Sequence, residues 1–270
     1  MSFSIDISEE SGVRFLHFGS TWVQGAMRIA RPWHLELDYT KEMMASLLLR
    51  EGGGAAAGPP PAYPSRVPRT NNYFPRKVLL IGLGAASLTK FLYRNYPLAK
   101  LTVVEIEPRV VAAARQFFKL PEDPLRLNIV IADGAQYIAG NDKTYDLILV
   151  DGFDADARPG ELDTLPFYQM CRSRLSDNGI LAVNLLGRTR GYAVSLDRLR
   201  EAFDTRALAF PSCDSGNVIA LAATGADIRI SLDDLKEQAE TFKEETGLNL
   251  LPTLTRIEQS QTCPGGVFYL

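Results

Sequence analysis

Three acidic residues, Glu105, Asp133 and Asp151, stand at the ends of short apolar runs in this sequence of 270 residues. Another apolar run ends in the glycine-containing stretch 82–84. If these runs are neighbouring parallel strands, their carboxyl ends meet at one edge of a sheet, where open α/β sheets bind ligands. Carboxylates gathered there can accept hydrogen bonds from hydroxyls, hold cations or take up a proton. The sequence therefore predicts one acidic pocket.

Strands are the elements that must position these carboxylates. The apolar runs lack polar alternation, as expected for strands covered on both faces; they are VLLIG (78–82), LTVVE (101–105), LNIVIAD (127–133), LILVD (147–151), GILAVN (179–184) and VIALAA (218–223). Helical patterns lie between them, among them EPRVVAAARQFF and TLPFYQMCRSRLSDNG, with Thr164 as a cap and Gly179 just past the helix end. This alternation predicts a doubly wound, Rossmann-like, mainly parallel sheet of the methyltransferase type in residues 77–270.

Two further regions precede this domain. Residues 1–50 carry short β-like runs (VRFLHF, TWVQGAMRI, HLELDY) and predict a small N-terminal β domain. Residues 51–76 are rich in Pro, Gly and Ala, which predicts a flexible linker or insertion.

Composition excludes several classes of function. A net charge of -3 gives no reason to expect nucleic acid or an anionic membrane as a partner. The three cysteines are far apart and follow neither a zinc-binding nor a disulfide pattern, so no metal is expected. The N-terminus is acidic and polar, and no apolar run approaches the ~18 residues of a membrane span. We therefore expect a cytoplasmic protein.

The glycine stretch and the first acid favour a nucleoside ligand. Gly82 and Gly84 allow a tight turn and close approach of a ligand to the backbone. Glu105 follows Gly82 by 23 residues (105 − 82), a spacing typical of an acid that binds a ribose diol. A nicotinamide dinucleotide fits poorly, because its pyrophosphate would meet several carboxylates and only Lys90 as a nearby cation. A cationic nucleoside fits better, which indicates S-adenosylmethionine or its decarboxylated form.

With these motifs, the sequence resembles the spermidine synthase (polyamine aminopropyltransferase) family from about residue 13 to residue 223. The segments that carry the resemblance are VLLIGLGAAS, VVEIEP, IADGAQYI, VDGFDADARP and LPFYQMCRSRLSDNGILAVN. The resemblance implies transfer of an aminopropyl group from decarboxylated S-adenosylmethionine to an amine, release of methylthioadenosine, and a homodimer or larger homo-oligomer. It implies that the cofactor is bound by Gln24, Gly82, Gly84, Glu105, Ile106, Asp133 and Gly134. Asp151 would be the catalytic base, and Asp154, Tyr39 and Glu42 would bind the amine.

Several positions depart from the family pattern. Ala85 replaces an aspartate that contacts the cofactor's amine, Ala155 replaces a proline, Cys213 a tyrosine and Asn184 a glutamine. Two alternatives therefore stay open: an S-adenosylmethionine-dependent methyltransferase, favoured by Ala85, and a non-catalytic nucleoside-binding member of the family. The remaining acids of the loop, Asp156, Glu161 and Asp163, are expected to be solvated charges.

Overall fold

The structure is a computed structural model, and it describes residues 4–50, 74–153, 158–186, 191–211, 216–260 and 262–270. Within these ranges the chain forms a three-stranded, a seven-stranded and a two-stranded sheet. Most of the predicted linker lies outside the described residues, as do Asp154, Ala155, Asp156 and Cys213.

The first sheet is antiparallel and consists of β1 (Ile5–Glu10), β2 (Val13–Phe18) and β3 (Val23–Arg28). Its apolar side chains Leu16 and Met27 pack with Ala85 and Phe118 of the following domain. The stretch HLELDY, predicted as a β-like run, is not a strand, because helix α1 (Asp38–Met43) begins inside it and a 3-10 helix (Met44–Leu48) follows. Alternation of apolar and polar residues over so few positions does not separate a strand from the approach to a helix.

The central sheet contains seven strands in the order β6-β5-β4-β7-β8-β10-β9; they are β4 (Lys77–Ile81), β5 (Lys100–Glu105), β6 (Leu127–Ile131), β7 (Tyr145–Val150), β8 (Leu175–Leu186), β9 (Ala207–Pro211) and β10 (Asn217–Ala223). Strand β10 is antiparallel to both of its neighbours, and the remaining pairs are parallel. The chain moves from β4 to β5 and β6 on one side, then crosses to β7 on the other. The strand order thus reverses between β4 and β7, which is where such sheets bind ligands. The predicted fold class is confirmed.

Helices cover both faces of this sheet; they are α2 (Ser87–Asn95), α3 (Pro108–Phe117), α4 (Gly134–Ala139), α5 (Leu165–Ser173) and α6 (Gly191–Ala202). Alternate residues of β4 enter opposite layers, with Leu80 in the core beneath α2 and α3 and Leu79 in the core beneath α4 and α5. Burial on both faces explains the continuous apolar runs. Thr164 caps α5 as predicted, but that helix ends at Ser173, and Gly179 lies inside β8. The predicted helix was too long because β8 begins early, where Leu175 pairs with Tyr145 of β7.

The C-terminal part adds β11 (Arg229–Ser231), α7 (Leu232–Thr246), α8 (Leu251–Gln259) and β12 (Val267–Tyr269). Strands β11 and β12 pair antiparallel, and both helices pack on the same core as α2 and α3. Ser231 caps α7 by accepting a hydrogen bond from the Asp234 N–H. Across the described ranges, no helix has the length and apolar character that crossing a bilayer requires.

Candidate active site

The turn after β4 brings three strand ends together. Gly82 has a φ of +96°, a conformation that glycine adopts readily and other residues avoid. Its N–H donates to the Val104 carbonyl of β5 at 2.9 Å. A Cβ atom on Gly82 would lie 2.1 Å from the Asp151 carbonyl oxygen after β7. Glycine is therefore required here by both conformation and space.

Glu105 braces this turn from the end of β5. Its Oε2 accepts the Leu83 N–H at 2.9 Å and its Oε1 accepts the Glu107 N–H at 3.0 Å. Burial raises the pKa of Glu105, and the backbone hydrogen bonds act in the opposite direction. The next residue, Ile106, is 66% exposed and presents an apolar surface at the same edge. Each carboxylate oxygen has a second acceptor position, so a ribose contact by Glu105 remains a prediction.

Asp133 and Gly134 lie at the start of α4, after β6. Asp133 caps this helix, with its Oδ1 accepting the Gln136 N–H at 2.9 Å. A Cβ on Gly134 would come within 2.4 Å of the Ile81 side chain and 3.2 Å of Leu162. Packing alone thus requires a glycine at 134. The ligand contacts expected of both residues remain predictions.

Asp151, the predicted base, follows β7 and is half-buried. Its Oδ1 accepts a hydrogen bond from the Asn184 side-chain amide at 2.8 Å, and its Oδ2 accepts one from the Tyr39 hydroxyl at 3.1 Å. Burial raises the pKa of Asp151, while these two hydrogen bonds lower it. Burial, and then the charge of Asp151, raise the pKa of Tyr39 well above its ordinary value. A desolvated carboxylate held by two neutral donors is suited to accept a proton or to hold a cation.

Asn184 was noted in the sequence only as a departure from the family. Its contact with Asp151 follows from strand register, since Val150 of β7 pairs with Val183 of β8. The residues that follow these two therefore lie side by side at the carboxyl edge. Predicting β7 and β8 as parallel neighbours would have been enough to find this contact.

Glu42 has a different neighbour from the one expected. It is buried, and its Oε1 lies 3.1 Å from Nε of Arg256 in α8. Tyr39, on the same helix, contacts Asp151 instead. The structure therefore separates the partners of Tyr39 and Glu42, and an amine-binding role for Glu42 remains a prediction.

The acidic loop between β7 and α5 is held in place at its C-terminal end. A 3-10 helix (Gly160–Asp163) carries Leu162, whose side chain fills the space beside Gly134 and would lie 2.7 Å from a Cβ on Gly152. Glu161 is exposed, as expected. Asp163 is not a solvated charge, because it accepts hydrogen bonds from three side chains: Tyr168 (2.8 Å), Ser195 (2.7 Å) and Arg198 (3.1 Å). These contacts across α5 and α6 could not be inferred from the loop's composition.

Strand β3 lies directly against the glycine turn. A Cβ on Gly84 would be 3.1 Å from the Gln24 carbonyl oxygen, and one on Gly25 would be 2.6 Å from the Ala85 Cβ. Ala85 itself is buried. The structure thus places the Gln24 backbone at the turn and leaves little room around position 85. The cofactor-binding role of Gln24 remains a prediction.

Lys90, the nearby cation considered for a phosphate, is not at the turn's surface. It is 1% exposed, and its Nζ donates to the Phe118 carbonyl at 2.8 Å. Burial lowers its pKa to about 7. No cluster of three or more potential metal ligands was found among the described residues.

The strand order, the glycine turn and the carboxylates at the β4–β7 switch point define a methyltransferase-type, doubly wound α/β protein. Residues 65–185 match the spermine/spermidine synthase domain. The chain is 32% identical to the polyamine aminopropyltransferase of Neisseria meningitidis, over 98% of this chain and 93% of that protein. The chain therefore belongs to the spermine/spermidine synthase family, as the sequence motifs predicted.

Solved structures share this fold. A probable spermidine synthase from Corynebacterium glutamicum aligns over 88% of this chain and 84% of its own length, with a TM-score of 0.67 and 17% identity. Human methyltransferase-like protein 13, solved in complex with SAH, aligns over 78% of this chain and 93% of its own length, with a TM-score of 0.65 and 24% identity. At these identities the likeness concerns the fold.

Proposed function

We propose that this protein is an aminopropyltransferase that transfers the aminopropyl group of decarboxylated S-adenosylmethionine to a diamine or polyamine. The observation that carries this proposal is the setting of Asp151. It lies at the topological switch point, and its carboxylate is desolvated and held by Tyr39 and Asn184. Family membership gives the same reaction, because the Neisseria relative is named as a polyamine aminopropyltransferase.

Asp151 has a defined task in this reaction. An amine substrate arrives as an ammonium ion, which has no lone pair with which to attack. Asp151 accepts one proton from it, and the freed nitrogen lone pair forms a bond to the aminopropyl carbon next to sulfur. The carbon–sulfur bond breaks, and its electron pair leaves with the sulfur as neutral methylthioadenosine. The product secondary amine remains an ammonium ion at neutral pH, and Asp151 releases its proton to solvent, which restores the carboxylate.

Asn184 offers a second group for the amine. While its amide nitrogen donates to Asp151, its Oδ1 is buried and has no hydrogen-bond partner among the described residues. A buried acceptor left without a partner is costly. An N–H of the bound amine is a suitable donor, and it would place the nitrogen beside the base.

The nucleoside half of the site fits a positively charged cofactor. In this proposal Glu105 accepts hydrogen bonds from the ribose hydroxyls and Asp133 accepts one from the adenine amino group. The exposed side chain of Ile106 packs against the adenine ring. Because the Lys90 ammonium is occupied in the core, it gives no support for a pyrophosphate. When bound, the sulfonium supplies the electrophilic carbon and the leaving group.

The direct test is turnover. The purified protein is incubated with decarboxylated S-adenosylmethionine and a panel of diamines and polyamines, and methylthioadenosine is quantified by chromatography. We expect release with at least one amine and a loss of about 10²–10⁴-fold in Asp151→Asn. Glu161→Gln, an exposed acid of the same loop, is the matched control and should stay active. Failure with every amine would overturn the proposal.

A methyltransferase is the second candidate, and the alanine at position 85, in place of the family's aspartate, favours it. Without a carboxylate at this position, the carboxylate of S-adenosylmethionine itself meets less repulsion. Calorimetric titration with S-adenosylmethionine and its decarboxylated form separates the two. Tighter binding of the decarboxylated form supports aminopropyl transfer, and the opposite order supports methyl transfer.

We also propose that the protein acts in the cytoplasm as a homodimer, as the family resemblance implies. Light scattering of the purified protein tests the dimer, since a monomeric mass at micromolar concentration would contradict it.

A further inference from the structure

We propose that the ion pair between Glu42 and Arg256 is a positioning device that sets the Tyr39 hydroxyl against Asp151. This inference rests on the proposed function for its catalytic meaning, but its contacts are independent of that function. Arg256 would be a positioning residue acting through α1, even though it lies 105 residues beyond Asp151 in the sequence (256 − 151).

Helix α1 needs outside support. It has six residues, and its N-cap, Leu37, provides no side-chain capping bond. Helices this short are not stable by themselves, so their orientation is set by tertiary contacts. Tyr39 can thus point at Asp151 only if the rest of the protein fixes α1.

Part of that support is core packing, since Met43 is fully buried and α1 packs against β8 and β10. Two polar contacts from neighbouring turns of α1 add to it. Tyr39 donates to Asp151 at 3.1 Å, and Glu42, three residues later, faces Nε of Arg256 at 3.1 Å. Residues three apart lie on neighbouring parts of one helix face. The Glu42 side chain is 3% exposed, so its charge depends strongly on a cationic partner. The pair therefore ties α1 to α8 close to the point where α1 meets the base.

Other charged groups also lie near α1. Lys41 pairs with Asp38 within α1 itself, at 2.5 Å. Arg94 of α2 and His34 line the same cavity of about 460 Å³ as Glu42 and Arg256. Around Asp151, the described hydrogen-bonding side chains are Tyr39 from α1 and Asn184 from β8.

The cavity also makes the proposal testable. The Arg256 side chain is 28% exposed and borders this open space, so water can reach Glu42 when the guanidinium is removed. We therefore expect Arg256→Met to fold. Glu42→Gln combined with Arg256→Met removes both charges and gives a second variant without a buried unpaired acid.

The experiment follows Asp151 directly and needs no turnover. Protein labelled with ¹³C at aspartate side-chain carboxyls is titrated by NMR, and the Asp151 signal is assigned with Asp151→Asn. The Tyr39 hydrogen bond lowers the Asp151 pKa, so Tyr39→Phe should raise it. Arg256→Met should raise it in the same direction, by about 0.5–1 pH unit, a part of what one charged hydrogen bond is worth. Arg256→Lys should restore much of the wild-type titration.

A double-mutant cycle and a matched control separate positioning from general support. In the Tyr39→Phe background, Arg256→Met should leave the Asp151 titration unchanged, because the contact it positions is already gone. Lys236→Met removes another ion pair of the same region, Lys236–Glu258 at 3.9 Å, and should have no effect. An unchanged Asp151 titration in folded Arg256→Met, or an equal change in Lys236→Met, overturns the proposal. Absence of aminopropyl transfer overturns only the proposed function, since this titration does not require it.

Discussion

Replacing Gly82 with alanine tests the contact between the glycine turn and the base. Two costs arise. A non-glycine residue with a left-handed backbone costs roughly 1–2 kcal/mol, and Gly82 has a φ of +96°. The added Cβ would also lie 2.1 Å from the Asp151 carbonyl oxygen, which must move by more than about 1 Å. Overpacking of this kind costs about 1–3 kcal/mol. We therefore expect Gly82→Ala to lose about 2–5 kcal/mol of unfolding free energy.

Gly12→Ala is the matched control for the conformational cost. Gly12 has a φ of +75°, and a Cβ there meets nothing within 4 Å. Urea unfolding followed by circular dichroism should show a loss of only about 1–2 kcal/mol for this variant. Gly82→Ala should also lose about 100-fold in aminopropyl transfer, because a displacement near 1 Å misplaces the base. If the two variants lose the same stability and both remain active, β7 does not end against the glycine turn as described.

Three further substitutions test the charges of the site and the core. Burial raises the pKa of Asp151 above its ordinary 3.8. Protonated Asp151 therefore stabilises the folded wild type at low pH, and this contribution is lost as pH rises through the raised pKa. Relative to wild type, the free energy of unfolding of Asp151→Asn should thus increase between pH 4 and pH 7. A constant difference across that range would contradict the raised pKa. Asn184→Leu removes a donor to Asp151, so kcat/KM should fall about ten- to a hundredfold and its acid limb should move to higher pH. An unmoved acid limb would show that this hydrogen bond does not tune the base. Burial lowers the pKa of Lys90 from 10.5 to about 7, so between these pH values the unfolded chain binds a proton that the folded protein does not. As pH falls from 10.5 to 7, wild type should therefore lose up to about 5 kcal/mol of unfolding free energy relative to Lys90→Met, measured by urea unfolding. An equal stability difference between wild type and Lys90→Met at pH 7 and at pH 10 would contradict the lowered pKa of Lys90.

Much of the fold could be predicted because burial on both faces leaves a clear pattern. The six apolar runs correspond to β4, β5, β6, β7, β8 and β10, with ends shifted by a few residues. Strand β9 (Ala207–Pro211) was not predicted, since its sequence ALAFP is short, contains two alanines and ends in proline. Among the described strands it lies at the edge of the sheet, next to β10. Propensity alone rarely identifies such a strand.

The site residues at the carboxyl ends of the strands were predictable from the sequence. The glycine turn, Glu105 and Asp151 follow from the rule that parallel strands end at one edge. Contacts made by other elements were not predictable. The ion pair of Glu42 with Arg256 joins α1 to α8 across more than 200 residues, and only the folded chain shows it. Asp163 is similar, because its partners lie on α5 and α6.

Gly25 of the N-terminal sheet packs closely against Ala85 in the glycine turn of the central sheet. A Cβ on Gly25 would lie 2.8 Å from the Ala85 nitrogen, so a movement of the glycine turn toward β3 has to displace the small β-sheet. A ligand that favours one shape of this turn then favours the docked sheet by a coupling free energy, and loosening of the sheet weakens ligand binding by that same coupling. We therefore expect the stability of the N-terminal hairpins to depend on occupancy of the pocket, even though the predicted base and the strand-end acids lie outside them.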